Sequence, residues 1–154
     1  MKRRPPGTIE GMTVWKVWRP PPVDEHIAAW TIDEPPGLQS LRAALLRAVA
    51  DRADFVAADT EDLAERLVIV ATELAGNALR HSRPPTVVAL LRSDGHLVLD
   101  VLDNDPRSAP TVERRAPGAG GLGLQLTERL AQEVGWYATD GGKHVWAMFS
   151  LSGS

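Results

Sequence analysis

Between residues 65 and 82, apolar residues recur every three or four positions, which is the spacing of one face of a helix. In this stretch, ERLVIVATELAGNALRHS, the periodic positions are Leu67, Val70, Ala71, Leu74, Ala75 and Ala78. Asp59 or Thr60 can cap the helix, because a short polar side chain bonds the free amides of a first turn. Arg83-Pro84-Pro85 stops the helix after His81. The pattern predicts a long amphipathic helix around which the chain is organised.

The same spacing predicts two more helices, one over residues 38–50 and one that opens at Gly120 to Leu124 and ends at Gly135. Runs of alternating polarity predict strands over residues 12–18, 26–32, 86–92, 96–102, 136–138 and 143–151. Residues 1–11 are expected to be a flexible arm, and residues 107–118, rich in Pro, Arg and small residues, a loop. This order of helices and antiparallel strands predicts an α+β fold, a two-layer α/β sandwich.

The length of 154 residues suits one domain. We expect that domain over residues 26–154, preceded by an N-terminal extension, residues 1–25, that can add one strand. Hydrophobic residues make up 44% of the chain and charged residues 24%, as is ordinary for a soluble protein. The net charge of −3 gives no overall basic field that would attract nucleic acid directly.

Cysteine is missing from the sequence, which excludes disulfides and thiolate metal sites. A reducing cytoplasm fits this composition, and we expect a cytoplasmic protein. No apolar run approaches the roughly 20 residues of a membrane span, so we expect no membrane partner.

Three polar residues interrupt the long helix, and their four-residue spacing puts them on one side of it: Glu73, Asn77 and His81. Burying a carboxylate and a carboxamide leaves polar groups to satisfy, so they are poor core residues. Gly76 inside the helix costs about 1 kcal/mol relative to alanine. Two interpretations stay open, a polar face that meets water and a functional face.

Two further signals are chemical. Gly118 to Leu124 is rich in glycine where a helix opens, and free amides at a helix start can bind an anion. The stretch is neither a Walker loop nor a Rossmann fingerprint, and alone it can simply be a turn. Asp103 ends an apolar strand, where it can cap a turn or accept a hydrogen bond from a ligand amine.

Taken in order, these signals resemble the motifs of the GHKL ATPases. ATELAGNALRHS is similar to the N box of that family, and GAGGLGL is similar to its second glycine box. Residues 101–106 are similar to a first glycine box, although the family's Asp-x-Gly-x-Gly is Asp103-Asn104-Asp105-Pro106-Arg107 here, without glycine. The resemblance implies the Bergerat ATP-binding fold, a mixed, mostly antiparallel sheet with three helices on one face.

The resemblance also implies roles for single residues. Glu73 matches the general base, Asn77 the Mg²⁺ ligand, and Asp103 the acceptor for the adenine amino group of ATP. The residues matching the phosphate-cradling turn are Gly118, Gly120, Gly121, Leu122 and Gly123. Residues 106–119 match the ATP lid. The polar residues at the ends of helices and strands receive no role, and these are Arg80, His81 and Lys143.

The closing strands, GGKHVWAMFSL, resemble those of small anti-sigma-type regulators. The implied activity is that of an anti-sigma-factor-like serine/threonine kinase, which binds a sigma factor and phosphorylates an anti-anti-sigma protein of the STAS type. A homodimer is common in that group. Two alternatives remain open. One is a non-catalytic, nucleotide-gated module that sequesters a partner, which the altered first glycine box favours and Glu73 opposes. The other is a stand-alone ATPase.

Overall fold

The computed structural model describes residues 8–9, 12–52, 60–105, 111–113 and 123–151 of the chain. In these ranges there are three helices, α1 (Gly37–Ala50), α2 (Thr60–His81) and α3 (Gly123–Leu130). The strands are β1 (Thr8–Ile9), β2 (Met12–Val14), β3 (Glu25–Ile32), β4 (Thr86–Ser93), β5 (His96–Asp103), β6 (Thr111–Glu113), β7 (Glu133–Thr139) and β8 (Gly142–Ser150).

Five strands form the main sheet in the order β3-β4-β5-β8-β7, and each neighbouring pair is antiparallel. Outside the named strands, an isolated parallel bridge joins Val17 to Trp136 at the β7 edge. The three short strands form a second antiparallel sheet in the order β1-β2-β6.

The helices cover one face of the main sheet, and side chains from both layers form the principal core. Alternate residues along β5, such as Leu97, Leu99 and Val101, point into this core because successive strand residues face opposite sides. Helix α2 contributes Leu67, Val70, Leu74 and their neighbours, which are almost fully buried. The predicted two-layer α+β sandwich is therefore confirmed.

On the opposite face of the sheet, a smaller apolar cluster contains Val98, Trp146 and Met148. Trp18, from the segment between β2 and β3, packs against it. Its indole nitrogen donates to the Val134 carbonyl at 2.8 Å, and the Trp146 indole nitrogen donates to the Trp18 carbonyl at 2.8 Å. The extension is thus fastened to the outer face of the sheet.

The end of the third helix was predicted wrongly, because α3 stops at Leu130 and both Val134 and Gly135 lie in β7. The Gln132 amide already bonds the Met148 carbonyl of β8 at 2.8 Å, so sheet pairing ends the helix. Gly135 is not a helix cap. A Cβ there would overlap the Trp18 indole, so the glycine permits a close approach within the sheet layer.

Two regions expected to lack regular structure contain strands. Thr111–Glu113, inside the predicted loop over residues 107–118, forms β6 and pairs with Met12–Val14. Thr8–Ile9, inside the predicted flexible arm, forms β1. The described part of the extension therefore contributes β1 and β2, while the division of the chain at residue 25 stays a prediction. No helix in the described ranges is both long and apolar enough to span a bilayer.

Candidate functional site

The polar side of α2 lies at the margin of the core. Glu73 and Asn77 are half-buried and His81 is exposed, whereas Leu74 and Ala78 beside them are buried. The exposure of these side chains to solvent therefore increases toward the C-terminal end of the helix. Glu73 and Asn77 are therefore not fully solvated surface residues.

Hydrogen bonds join the C-terminal end of α2 to the end of β5. The backbone N–H of Asn104 donates to the Ser82 hydroxyl at 2.9 Å. The side-chain Nδ2 of Asn104 donates to the carbonyls of Arg83 and Pro85 at 2.7 and 3.0 Å. Asn77 lies five residues before Ser82, which is about 7.5 Å along a helix axis. Asn77 and Asp103 consequently lie toward the same end of the two layers, and Glu73 lies about one helical turn further from that end.

Asp103 continues the inward-facing alternation of β5 and is buried among apolar neighbours. Its Oδ1 accepts the Asp105 amide at 2.8 Å, and its Oδ2 lies 3.3 Å from Lys143 Nζ. Burial raises the pKa of Asp103, while the Asp105 amide and the Lys143 ammonium oppose that rise. The carboxylate therefore does cap a turn. Each of its oxygens can still accept a second hydrogen bond, so the ligand role stays a prediction.

Lys143, to which the sequence analysis gave no role, is a buried partner of this carboxylate. A sequence signal for it did exist, because Lys143 shares strand parity with Val145, Ala147 and Phe149, all of which face the core. Just before it, Gly142 has a φ of 147°, and a Cβ there would collide with the Asp103 carbonyl. Glycine is therefore required where the start of β8 approaches the end of β5.

The predicted phosphate turn lies mostly outside the described residues, which include neither Gly118, Gly120 and Gly121 nor Leu122. Gly123 is described as the first residue of α3. That helix packs against α2, where the Arg66 guanidinium donates to the Leu130 carbonyl at 3.4 Å. The phosphate roles of these residues stay predictions, as does the lid over residues 106–119, of which β6 is described.

A magnesium site at Asn77 is compatible with the donor groups present. The described residues contain no cluster of three or more His, Asp or Glu side chains that could enclose a metal. Mg²⁺ is usually bound by one or two protein oxygens together with phosphate and water. The half-buried Asn77 carboxamide, four residues from the Glu73 carboxylate, fits this mode of binding, in which the protein supplies few of the ligands.

A second polar cluster lies on the outer face of the sheet, away from these residues. The buried Asp100 accepts from the Tyr137 hydroxyl at 3.2 Å and bonds His144 Nδ1 at 2.7 Å. The two rings stack at 4.6 Å, and the Arg19 guanidinium lies 4.3 Å above the Tyr137 ring. Burial and the Asp100 charge raise the pKa of Tyr137 to about 12. This cluster was not found in the sequence.

A groove of about 680 Å³ runs between β3 and α1 and is lined by residues such as Trp30, Ile32, Ser40 and Leu41. It lies at the β3 edge of the sheet, and the predicted site residues do not line it.

Comparison with known proteins gives a family match over most of the chain. The family described as the histidine kinase-like ATPase domain matches residues 36–149. Among solved structures, the chain is similar to the crystal structure of the RsbU and RsbW domains of Rv1364c from Mycobacterium tuberculosis, at 21% identity and a TM-score of 0.55. The match covers 80% of this chain and 32% of that one, and at this identity it shows the fold alone. No curated protein matches the chain.

The family match spans α2, β5, α3 and nearly all of β8, and it therefore includes the stretches similar to the N box and the second glycine box, together with Asp103 and Lys143. It confirms the resemblance to the GHKL ATPases inferred from those motifs. The chain belongs to the histidine kinase-like ATPase family.

Proposed function

We propose that the protein is an ATP-binding regulator that acts as an anti-sigma-factor-like serine/threonine kinase. The observation that carries this proposal is the family match over residues 36–149, the range that contains Glu73, Asn77 and Asp103. The base of ATP would bind at Asp103, and its phosphates would lie toward Glu73 and the start of α3. The cytoplasm, which supplies ATP and magnesium, is the compartment we assign.

In this proposal each residue has one chemical task. The Asp103 carboxylate accepts from the adenine amino group, and the amides around Gly121 and Gly123 hold the phosphates. Asn77 would hold Mg²⁺ through its carboxamide oxygen, and the bound ion would supply positive charge that neutralises the phosphates. Glu73 takes the proton of an attacking serine or threonine hydroxyl as that oxygen bonds the γ-phosphorus. The bond from this phosphorus to the bridging oxygen breaks, which releases ADP.

The partners follow from resemblance rather than from a described contact. The closing strands resemble those of small anti-sigma regulators, and the similar solved chain contains a domain named RsbW. We therefore propose a sigma factor as the sequestered partner and a STAS-type anti-anti-sigma protein as the phosphorylated one. A homodimer is the assembly we expect.

A non-catalytic, nucleotide-gated binding module is the second candidate function. The turn after β5 favours it, because Asp105 stands where the family has its first glycine, and the backbone amides of Asn104 and Asp105 bond the side chains of Ser82 and Asp103. Such a turn approaches a base less closely than a glycine turn does. Glu73 is the residue that separates the two functions, because only a kinase or an ATPase needs a general base.

The test compares the parent with Glu73→Gln and with Glu65→Gln, an identical change at an exposed position of the same helix. Calorimetry with Mg-ATP measures binding, and radiolabelled γ-phosphate measures transfer and hydrolysis. Glu73→Gln should bind Mg-ATP within a few-fold of the parent. It should lose transfer by a factor on the order of 10²–10⁴, as is typical for a general base.

Glu65→Gln should behave like the parent in both assays. If the parent does not bind Mg-ATP at millimolar concentration, the proposed function is wrong. If the parent binds ATP but transfers phosphate to no candidate protein, and Glu73→Gln changes nothing, the binding module is correct. Hydrolysis without transfer, abolished by Glu73→Gln, would instead identify a stand-alone ATPase.

A further inference from the structure

Asp103 and Lys143 form a buried ion pair at the end of the main core. They are direct partners in the register between β5 and β8, and their side chains are only 6% and 9% exposed. Their neighbours on the same face of the two strands are apolar, such as Val101 and Val145. The pair therefore occupies a position where the surrounding pattern would place two hydrophobic side chains.

Stability alone gives little reason to keep such a pair. Removing two charges from water costs about as much as their attraction returns, and apolar residues of similar volume often replace a buried pair without loss. Removing only one partner is strongly unfavourable, because it leaves an unpaired buried charge. A function for the carboxylate would explain why the lysine is present.

The proposed site for the adenine base of ATP requires Asp103 to be ionised. A carboxylate only accepts hydrogen bonds, whereas a protonated acid carries a hydrogen on one oxygen and accepts from an amine less well. Burial favours the protonated acid and raises the pKa of Asp103. Lys143 opposes this effect through its charge and its hydrogen bond, at 3.3 Å from Oδ2.

The geometry also fixes where the carboxylate points. The Asp105 amide holds Oδ1 from the turn after β5, while Lys143 holds Oδ2 from β8. Since the two donors come from different segments, the carboxylate plane is restrained on both sides.

We propose that Lys143 is a positioning residue of the base site, which keeps the Asp103 carboxylate ionised and aligned to accept from an amino group of the base. This inference rests on the proposed function, since it assumes that the ligand at Asp103 is ATP. Lys143 would act through Asp103 and would widen the pH range over which nucleotide binds.

The test measures the affinity for Mg-ATP from about pH 5 to about pH 9 in the parent and in Lys143 variants. Lys143→Met removes the charge and the donor, Lys143→Gln removes the charge but keeps a donor, and Lys143→Arg keeps both. The matched control is Lys16→Met, which makes the same change at an exposed lysine. The titration of ATP itself is common to all variants, so differences between them report on the protein.

The groups whose charges act on Asp103 are Lys143 on β8 and Asp105 in the following turn. At the adjoining end of α2, Glu73, Arg80 and His81 are the remaining titratable groups, and all variants retain them. Without Lys143, the pKa of Asp103 should rise further. Binding should then be lost at a higher pH in Lys143→Met and in Lys143→Gln than in the parent.

On the acidic side of the profile, both neutral variants should bind roughly tenfold more weakly than the parent, because a hydrogen bond to a charged group is stronger than one to a neutral group. Lys143→Arg and Lys16→Met should follow the parental profile. Carboxyl carbon NMR without nucleotide provides a second readout, in which the Asp103 signal should titrate at a higher pH in Lys143→Gln. This variant keeps a donor for the buried carboxylate, so it guards against misfolding of Lys143→Met.

A purely structural lysine would weaken binding by the same factor at every pH. That result, or profiles that coincide in the parent and in Lys143→Gln, would overturn this inference while leaving ATP binding intact. If the parent itself does not bind Mg-ATP, the proposed function and this role both fail. A shifted Asp103 titration in the NMR experiment, together with no binding of Mg-ATP by the parent, would mean that the proposed function is what has failed, although Lys143 does act on the carboxylate.

Discussion

Replacing Trp18 by alanine tests whether the N-terminal segment is part of the fold. The Trp18 indole nitrogen donates to the Val134 carbonyl at 2.8 Å, and the ring centroid lies 4.9 Å from that of Trp146, with the planes tilted by 57°. A hydrogen bond of this kind contributes about 1 kcal/mol, and a tilted aromatic pair about 0.5–1.5 kcal/mol beyond its buried area. With the lost apolar contact, a half-buried tryptophan should cost about 2–4 kcal/mol of unfolding free energy.

Urea unfolding followed by far-UV circular dichroism measures this loss, since the substitution itself changes the tryptophan fluorescence. Val17→Ala is the control, because Val17 is the adjacent residue and its exposure is 64%. It should lie within about 0.5 kcal/mol of the parent. A Trp18→Ala variant as stable as Val17→Ala would refute the contribution of this segment to the fold.

A second substitution separates the contact from general effects of the tryptophan. A Cβ at Gly135 would overlap the Trp18 indole and crowd the Trp146 ring, so Gly135→Ala should destabilise the parent. In the Trp18→Ala background, the larger of the two overlaps is gone and the same change should cost less. Such coupling between residues in contact is about 0.5–3 kcal/mol. Additive losses would mean that the indole does not occupy the space above Gly135.

Two further predictions concern α2 and the outer face of the sheet. At Gly76, an added Cβ would make only ordinary contacts with Leu38 and Arg80, at 3.7 and 3.6 Å, so Gly76→Ala should stabilise the protein by about 0.5–1 kcal/mol in thermal unfolding. A loss of stability would show that the helix needs glycine there. Tyr137 is the sole tyrosine of the sequence, so ultraviolet titration of the phenol should give a pKa of about 12, and Asp100→Asn should lower it. Because the pKa of Tyr137 is raised in the folded protein, its contribution to stability is present below the ordinary pKa near 10 and is lost as the pH rises toward 12. A titration midpoint near 10 in the folded protein would contradict the burial of the phenol and its contact with Asp100.

The elements whose signals are local could be predicted well from the sequence. The helices over residues 38–50 and up to His81 have nearly the predicted bounds, because apolar spacing and proline act within a few residues. The predicted end of the third helix was wrong because the signal that stops this helix is not local. Val134 continues the helical spacing by coincidence, and what stops the helix is pairing with Met148 of another strand.

The second small sheet could not be predicted for a similar reason. Thr111–Glu113 carries only a three-residue signal in a stretch rich in Pro and Arg, and its partner Met12–Val14 lies about 100 residues away. Alternation did predict a strand over residues 12–18, but a pairing at such a separation is not recorded in the local pattern of either segment. Their registers follow from the folded arrangement and cannot be read from local composition.

The candidate site shows the same division between local and distant signals. Glu73 and Asn77 could be found because helical spacing alone puts them on one side. Lys143 was missed because its meaning depends on pairing with Asp103, although its place among inward-facing residues was visible. Asn104 stands at the variable position of the first glycine box and gives no signal in the sequence, because its bonds to the residues just after α2 require the fold.

The departure of the first glycine box from the family pattern bears first on the affinity for ATP, and a low affinity would favour the binding module. Asp103 ends β5 on the helix side of the sheet, and Asn104 fastens that end to α2 without any glycine. The proposed kinase and the proposed nucleotide-gated module would both use this carboxylate to accept from adenine, so Asp103 itself does not separate them. Only the proton transfer assigned to Glu73 belongs to one of them. The decisive comparison is consequently between binding and transfer in the Glu73 variant, measured with Lys143 left intact.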